Sequence, residues 1–312
     1  MLNRRFLRIK VMQALYSFFQ HEKADMAHFE KELFKSLDKI HELYLSILAL
    51  ILDLHHVSMV MVDESKNKRL PNEADLNPNM KFVNNSLLVS MAKNASLKTQ
   101  LEKKKISWQN DFDVVRRLFN EIKNGELYKN YLSSGISSTE DDRDFIVDLI
   151  TNYLSENEVL ASLFEEKNIH WADDTFVAFN SVIRNLEAFE GEFALQQLLK
   201  DEKDDLEFMS VLFKKTILYK SQSEELIDKH TKNWDIERIA NMDMLLMEMA
   251  LTEILYLPNI PVKASLNEYI DISKEYSTPN SKVFVNGVLD KIIAELKQDN
   301  RINKTGRGLK ES

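Results

Sequence analysis

The sequence predicts an all-α fold, on three observations. Apolar residues recur with a 3.6-residue period along almost the whole chain, and the strict alternation of a half-buried strand is nearly absent. Glycine (6) and proline (5) are scarce among the 312 residues, so tight hairpins and phosphate loops have few of the residues they need. With 44% hydrophobic residues the chain can also bury a large core. Cysteine is absent, which removes disulfides, thiolate metal sites and cysteine nucleophiles and makes the cytoplasm the expected setting.

The elements follow in order. A first helix is expected over roughly 2–20, its apolar residues interrupted by Arg8, Lys10, Gln13 and Ser17, which makes it a poor signal peptide. A second, over 26–62, contains the most apolar stretch of the chain, LYLSILALILDLHHVSMVMV. Asp53, His55 and His56 in its middle favour a buried core helix over a membrane span, because a central carboxylate is costly in lipid. After a polar break at 67–79, helices are expected over 80–103 and 109–123, then over 140–166 and 171–189 beyond the polar run SSGISSTEDD. The acids of TEDDRD and KDEKDD suit helix N-termini, where carboxylates complement the dipole. Helices over 203–231 and 235–257 follow, the second carrying MDMLLMEMALTEI, whose methionines face several ways and read as a soft core seam. Pro261 can open a helix over 262–275, and Thr278 with Pro279 can cap and start one over 279–297. Gly287 inside that last helix costs about 1 kcal/mol relative to Ala and usually marks close backbone packing. From Gln298 the chain is polar and is expected to be disordered.

Catalytic patterns fail one by one. HELYL at 41–45 opens like a zinc-protease helix, but Leu45 occupies the position of the second histidine. His55 and His56 point about 100° apart on a helix, a poor geometry for one ion. No phosphate loop, dinucleotide fingerprint or G-x-S-x-G elbow can be built from the six glycines. The expectation is a protein that is not an enzyme and has no cofactor and no metal.

The first twenty residues hold Arg4, Arg5, Arg8 and Lys10 and no acid, in a chain of net charge −9, so the remainder sums to −13. On a helix Leu7, Val11, Ala14 and Phe18 form an inward stripe. Arg5, Ile9, Gln13, Tyr16 and Gln20 form the opposite line, with Arg8 on the flank. Cationic, amide and aromatic groups together suit RNA, through phosphate pairing and base stacking. The plainer alternative is an amphipathic helix with a solvated basic face.

RRFLRIKVMQALYS, followed late in the chain by WDIERIANMDMLLMEMALTEI, LPNIPVKASLNEYIDISKEY and STPNSKVFVNGVLDKI, resembles the NusB family of transcription antitermination factors. The likeness spans roughly residues 1–20 and 204–297. It implies two packed helical subdomains: an N-terminal region, 1–203, expanded by a large helical insertion from about residue 30, and a C-terminal bundle, 204–297, before the tail 298–312. It also implies a role in transcription antitermination or termination that rests on binding boxA-type single-stranded RNA of ribosomal leaders. The partner would be a small-subunit ribosomal protein acting as NusE, within the RNA polymerase antitermination complex, with no membrane and with a homodimer as a further state.

The residue roles implied are RNA contact by Arg4, Arg5, Arg8, Gln13 and Tyr16, with Lys10 adding charge. Ser281, Lys282 and Phe284 would form a second RNA surface, although Phe284 also reads as an ordinary core aromatic. Glu237 and Asp243 would face the basic ribosomal partner. Glu248 stands where an arginine is common in the family. The alternative function is a helical interaction scaffold whose insertion has become the main partner surface, with RNA binding reduced or lost. An RNA cytosine methyltransferase carrying such a domain would need catalytic cysteines, and the chain has none.

Overall fold

The structure, a computed structural model, describes residues 2–135, 137–231 and 239–309. Among the described residues there is no strand, and fifteen α-helices account for the architecture. In order they are α1 (Arg4–Phe19), α2 (Met26–Lys66), α3 (Glu73–Leu76), α4 (Ser86–Lys93), α5 (Ala95–Lys104), α6 (Phe112–Asn124), α7 (Glu126–Ser133) and α8 (Thr139–Leu149). They continue with α9 (Glu158–Lys167), α10 (Thr175–Glu187), α11 (Glu202–Leu218), α12 (Lys220–His230), α13 (Asn241–Tyr256), α14 (Val262–Tyr276) and α15 (Ser281–Gln298).

Two compact units result. One is Leu37–Leu198, and the other joins Leu2–Ser36 to the chain from Leu199 onwards. The first helix therefore belongs with the C-terminal helices, whereas the sequence reading grouped it with the insertion. α2 starts in this second unit and runs on into the first, where Tyr44, Leu45, Ile47, Leu48 and Leu50 are fully buried. It is long and apolar enough to cross a membrane, yet 61% of its apolar window is buried within the protein. His55, in its second half, shares a hydrogen bond with the Val83 carbonyl (2.8 Å), and burial lowers its pKa.

Several expected helices are divided. The segment 80–103 breaks at Asn94, whose side chain accepts from Leu97 N and donates to the Phe193 carbonyl. The segment 140–166 breaks after a π-turn (Ile150–Leu154) at Asn157, which caps Leu160 N. Asparagine offers the backbone a local acceptor that competes with the helical ladder, so a single Asn can end one helix and start the next. The acidic runs do mark helix starts: Ser138 caps α8 ahead of Glu140, Asp141 and Asp142, and Asp201 caps α11 ahead of Glu202, Asp204 and Asp205.

In the second unit α13 is the central helix, packed by α1, α11, α12, α14 and α15. That surround explains why every residue from Leu245 to Ile254 is buried, whereas Met242, Met244 and Leu255 near the ends are half-buried. α15 begins at Ser281, two residues later than expected, because Pro279 and Asn280 form a turn ahead of it. Gly287 is exposed, and a Cβ there would meet nothing, so close packing is not the reason for this glycine.

The segment expected to be disordered is held against the bundle as far as it is described. Asn300, at φ 52°, ends α15 with Arg301 N donating to the Leu296 carbonyl, a Schellman turn. Lys304 Nζ then donates to the carbonyls of Glu253 (3.3 Å) and Leu257 (3.0 Å), the open end of α13. Thr305 N donates to the Pro258 carbonyl (3.0 Å).

Candidate nucleic-acid interface

Asn3 starts α1 by accepting from Phe6 N, so the arginines lie in the first two turns. Each of the three meets acids from a different part of the bundle. Arg4 pairs with Asp204 (2.6 Å) and Asp205 (3.1 Å) of α11, with its guanidinium 4.4 Å from the Phe208 ring centre. Arg5 forks onto Glu268 (2.9 and 3.2 Å) and Asp271 (2.8 Å) of α14. Arg8 is only 4% exposed and makes a two-point pair with Glu253 of α13 (2.8 and 2.6 Å).

Arg8 is therefore not on the solvent face, which corrects the expectation that it contacts RNA. Glu253 is completely buried and also accepts from Ser265 Oγ (2.7 Å) and Tyr269 OH (3.1 Å). Burial alone would lower the Arg8 pKa, but the facing Glu253 carboxylate raises it above the ordinary guanidinium value. Lys10, which the sequence reading assigned added charge at the RNA face, is largely buried, its ammonium 5.4 Å from the Phe6 ring centre. Ile9 is buried as well. On α1, Arg4, Arg5 and Gln13 are half-buried and Tyr16 is exposed, and Ala14, Ser17, Phe18 and Phe19 in the last turns are half-buried too, although Ala14 and Phe18 were expected to face inward.

The second proposed surface divides in the same way. Lys282 and Val283 are exposed and Phe284 is half-buried. Ser281 is buried; its hydroxyl donates to Asp243 Oδ2 (2.7 Å) and accepts from Thr278 N (3.1 Å). Asp243 is itself buried, so it cannot present an acid to a partner in this structure; it sits at the N-terminus of α15, where the dipole favours it. Glu237, the other acid proposed for the partner, lies outside the described residues.

Sequence reasoning missed the acids that receive the arginines. A signal was present. The mostly apolar α13 carries three buried acids, Asp243, Glu248 and Glu253, and a buried acid needs a partner. Each takes one from a different helix: Ser281 of α15, Lys220 of α12 (3.2 Å) and Arg8 of α1. The arrangement has the chemistry of a binding surface rather than a reaction site, with guanidinium forks, an amide and one exposed phenol. Among the described residues no cluster of three or more ligating side chains can hold a metal.

Comparison with known proteins identifies the family. Residues 175–294 match the NusB family, a stretch that starts earlier than the sequence reading, takes in α10, and does not include α1. The transcription antitermination protein NusB of Salinibacter ruber is 45% identical over 111 residues, which are 36% of this chain and 69% of that protein. The NusB protein of Chloroherpeton thalassium is 48% identical over 83 residues (27% of this chain, 39% of that protein). That of Natranaerobius thermophilus is 28% identical over 110 residues (34% and 79%). No solved structure matches the chain significantly. Since the chain covers more than two thirds of the Salinibacter protein at this identity, and the matched stretch carries α10–α15, it belongs to the NusB family of non-enzymatic transcription antitermination factors.

Proposed function

We propose that this chain binds boxA-type single-stranded RNA of ribosomal leader transcripts, together with a small-subunit ribosomal protein acting as NusE, and acts in the cytoplasm within the RNA polymerase antitermination complex. The RNA contacts are Arg4, Arg5, Gln13 and Tyr16 on α1, with Lys282 and Phe284 at the start of α15 as a second surface. The observation that carries this reading is Tyr16: 42% exposed, it is the most exposed residue of α1, three turns along the helix from Arg4 and Arg5, in a place where packing does not require a phenol. An exposed aromatic ring on a basic helix is a stacking platform for an unpaired base.

The test is binding of a boxA-type RNA and a scrambled control by the full chain, with and without the ribosomal partner. Selective binding is expected, strengthened by the partner. Tyr16→Ala should weaken it by about 1–3 kcal/mol, the usual worth of one base–aromatic stack, and leave folding stability unchanged. Equal affinity for both RNAs in every arm would reject the proposal and favour the scaffold reading, in which the insertion is the working surface.

A further inference from the structure

The same site carries a regulatory arrangement, and the inference rests on the RNA reading above. Two candidate RNA arginines face four carboxylates: Asp204 and Asp205 around Arg4, Glu268 and Asp271 around Arg5. Lys274 adds a cation on Asp271, yet the positive surplus of the first twenty residues is cancelled in three dimensions. Glu268 and Asp271 are three residues apart on α14 and so share a face, which lets one guanidinium span both. A phosphodiester offers the same thing to an arginine fork, two anionic oxygens in one plane.

The outer pairs, Arg4 with Asp204 and Arg5 with Asp271, are also accessible, whereas Asp205 behind them is buried. The side chains of Asp204, Arg4, Arg5 and Asp271 are 69, 34, 36 and 33% exposed, so water and a competing anion reach them, and exposed pairs of this kind contribute little to folding. Arg8 with Glu253, by contrast, is sealed.

We infer that Asp204 and Asp271, backed by Asp205 and Glu268, are built-in phosphate substitutes that latch Arg4 and Arg5 and set the affinity of the arm for RNA. Binding is then an exchange: phosphates displace carboxylates on the guanidinium forks. The exchange subtracts from the sequence-independent phosphate attraction for every RNA. What remains to hold an RNA is base contact, through groups such as Tyr16 and Gln13, and whatever a partner adds. The freed carboxylates take up cations as the RNA releases its own, which flattens the salt dependence.

The test compares the full chain with Asp204→Asn/Asp271→Asn, titrating a boxA-type RNA and a scrambled RNA of equal length over a range of salt. A control variant, Glu156→Gln/Glu190→Gln, adds the same charge at exposed positions of the insertion. The latch variant should bind both RNAs roughly two- to thirtyfold more tightly, the range that two exposed ion pairs can withhold. Its log–log salt slope should steepen by about 1.4, or roughly 0.7 for each single-strand phosphate contact released to full effect. The control should match wild type. Asp204→Asn alone, at the most exposed position, should give a gain of up to roughly fivefold and guards against misfolding of the double variant. Selective wild-type binding with unchanged affinity and slope in both latch variants would overturn the latch and leave the RNA reading standing. A gain as large in the control would also overturn it. Absence of RNA selectivity in every folded protein would overturn both.

Discussion

Replacing Arg8 with alanine tests whether this residue belongs to the core or to the RNA face. Glu253 accepts four hydrogen bonds, two from Arg8 and one each from Ser265 and Tyr269, and it has no solvent contact. Arg8→Ala removes two of the four donors and, with them, the guanidinium paired to the carboxylate. It leaves an uncompensated buried charge, a change that costs about 3–5 kcal/mol in comparable buried pairs. Part of that cost is packing, since the Arg8 guanidinium lies 5.4 Å from the Phe208 ring centre and 5.9 Å from that of Tyr269. Arg8→Lys keeps the charge but not the two-point fork, so it should recover only part of the loss. Arg8→Met/Glu253→Gln removes both charges and should recover most of it, because the penalty lies in the unpaired ion rather than in the absence of the pair. Chemical denaturation followed by far-UV circular dichroism measures all three. A loss below about 1 kcal/mol for Arg8→Ala, or a double variant as unstable as the single one, would refute the reasoning and return Arg8 to the list of RNA contacts.

Two further outcomes follow from the same bundle. Burial pushes the Glu248 carboxyl up to about 7, against the pull of Lys220. The folded state then holds a proton that the unfolded state releases near pH 4.5, so stability should fall as pH rises from about 4.5 to 7 and level off above that. Lys220, whose own pKa is raised, stays charged across this window and adds no slope there. Glu248→Gln should flatten the profile, and an unchanged slope in that variant would assign it to other groups. At the end of the chain, a Cβ on Gly308 would lie 1.9 Å from the Pro258 carbonyl oxygen. Gly308→Ala should therefore release the segment around Lys304–Leu309, seen as faster amide exchange and earlier proteolysis there with the helices unaffected; protection equal to wild type would show that the segment shifts without undocking.

Much of this protein could be read from its residues in order. The 3.6-residue period and the scarcity of glycine and proline specify helices because both act within a few residues of the backbone they shape. Acidic helix starts at Ser138 and Asp201 are local for the same reason, as side chain and capped N–H lie within one turn. The late motifs placed the chain among the NusB proteins, and the methionines of α13, facing several ways, marked a core seam.

What the order could not supply is pairing across distance. Charge along the chain made the first helix look basic, but Asp204 and Glu268, some two hundred residues and more away, neutralise it. Arg8 and Ser281 looked available because a flank position on a helical wheel carries no record of which neighbour covers it. Burial is decided by α13 and α14 closing over them, and the same closure turns Asp243 from a partner-facing acid into the support of a helix end. Local periodicity therefore determines where helices form. Only the packed bundle determines which charges stay open to solvent, because the free energy of a charge depends on the surroundings it is packed into.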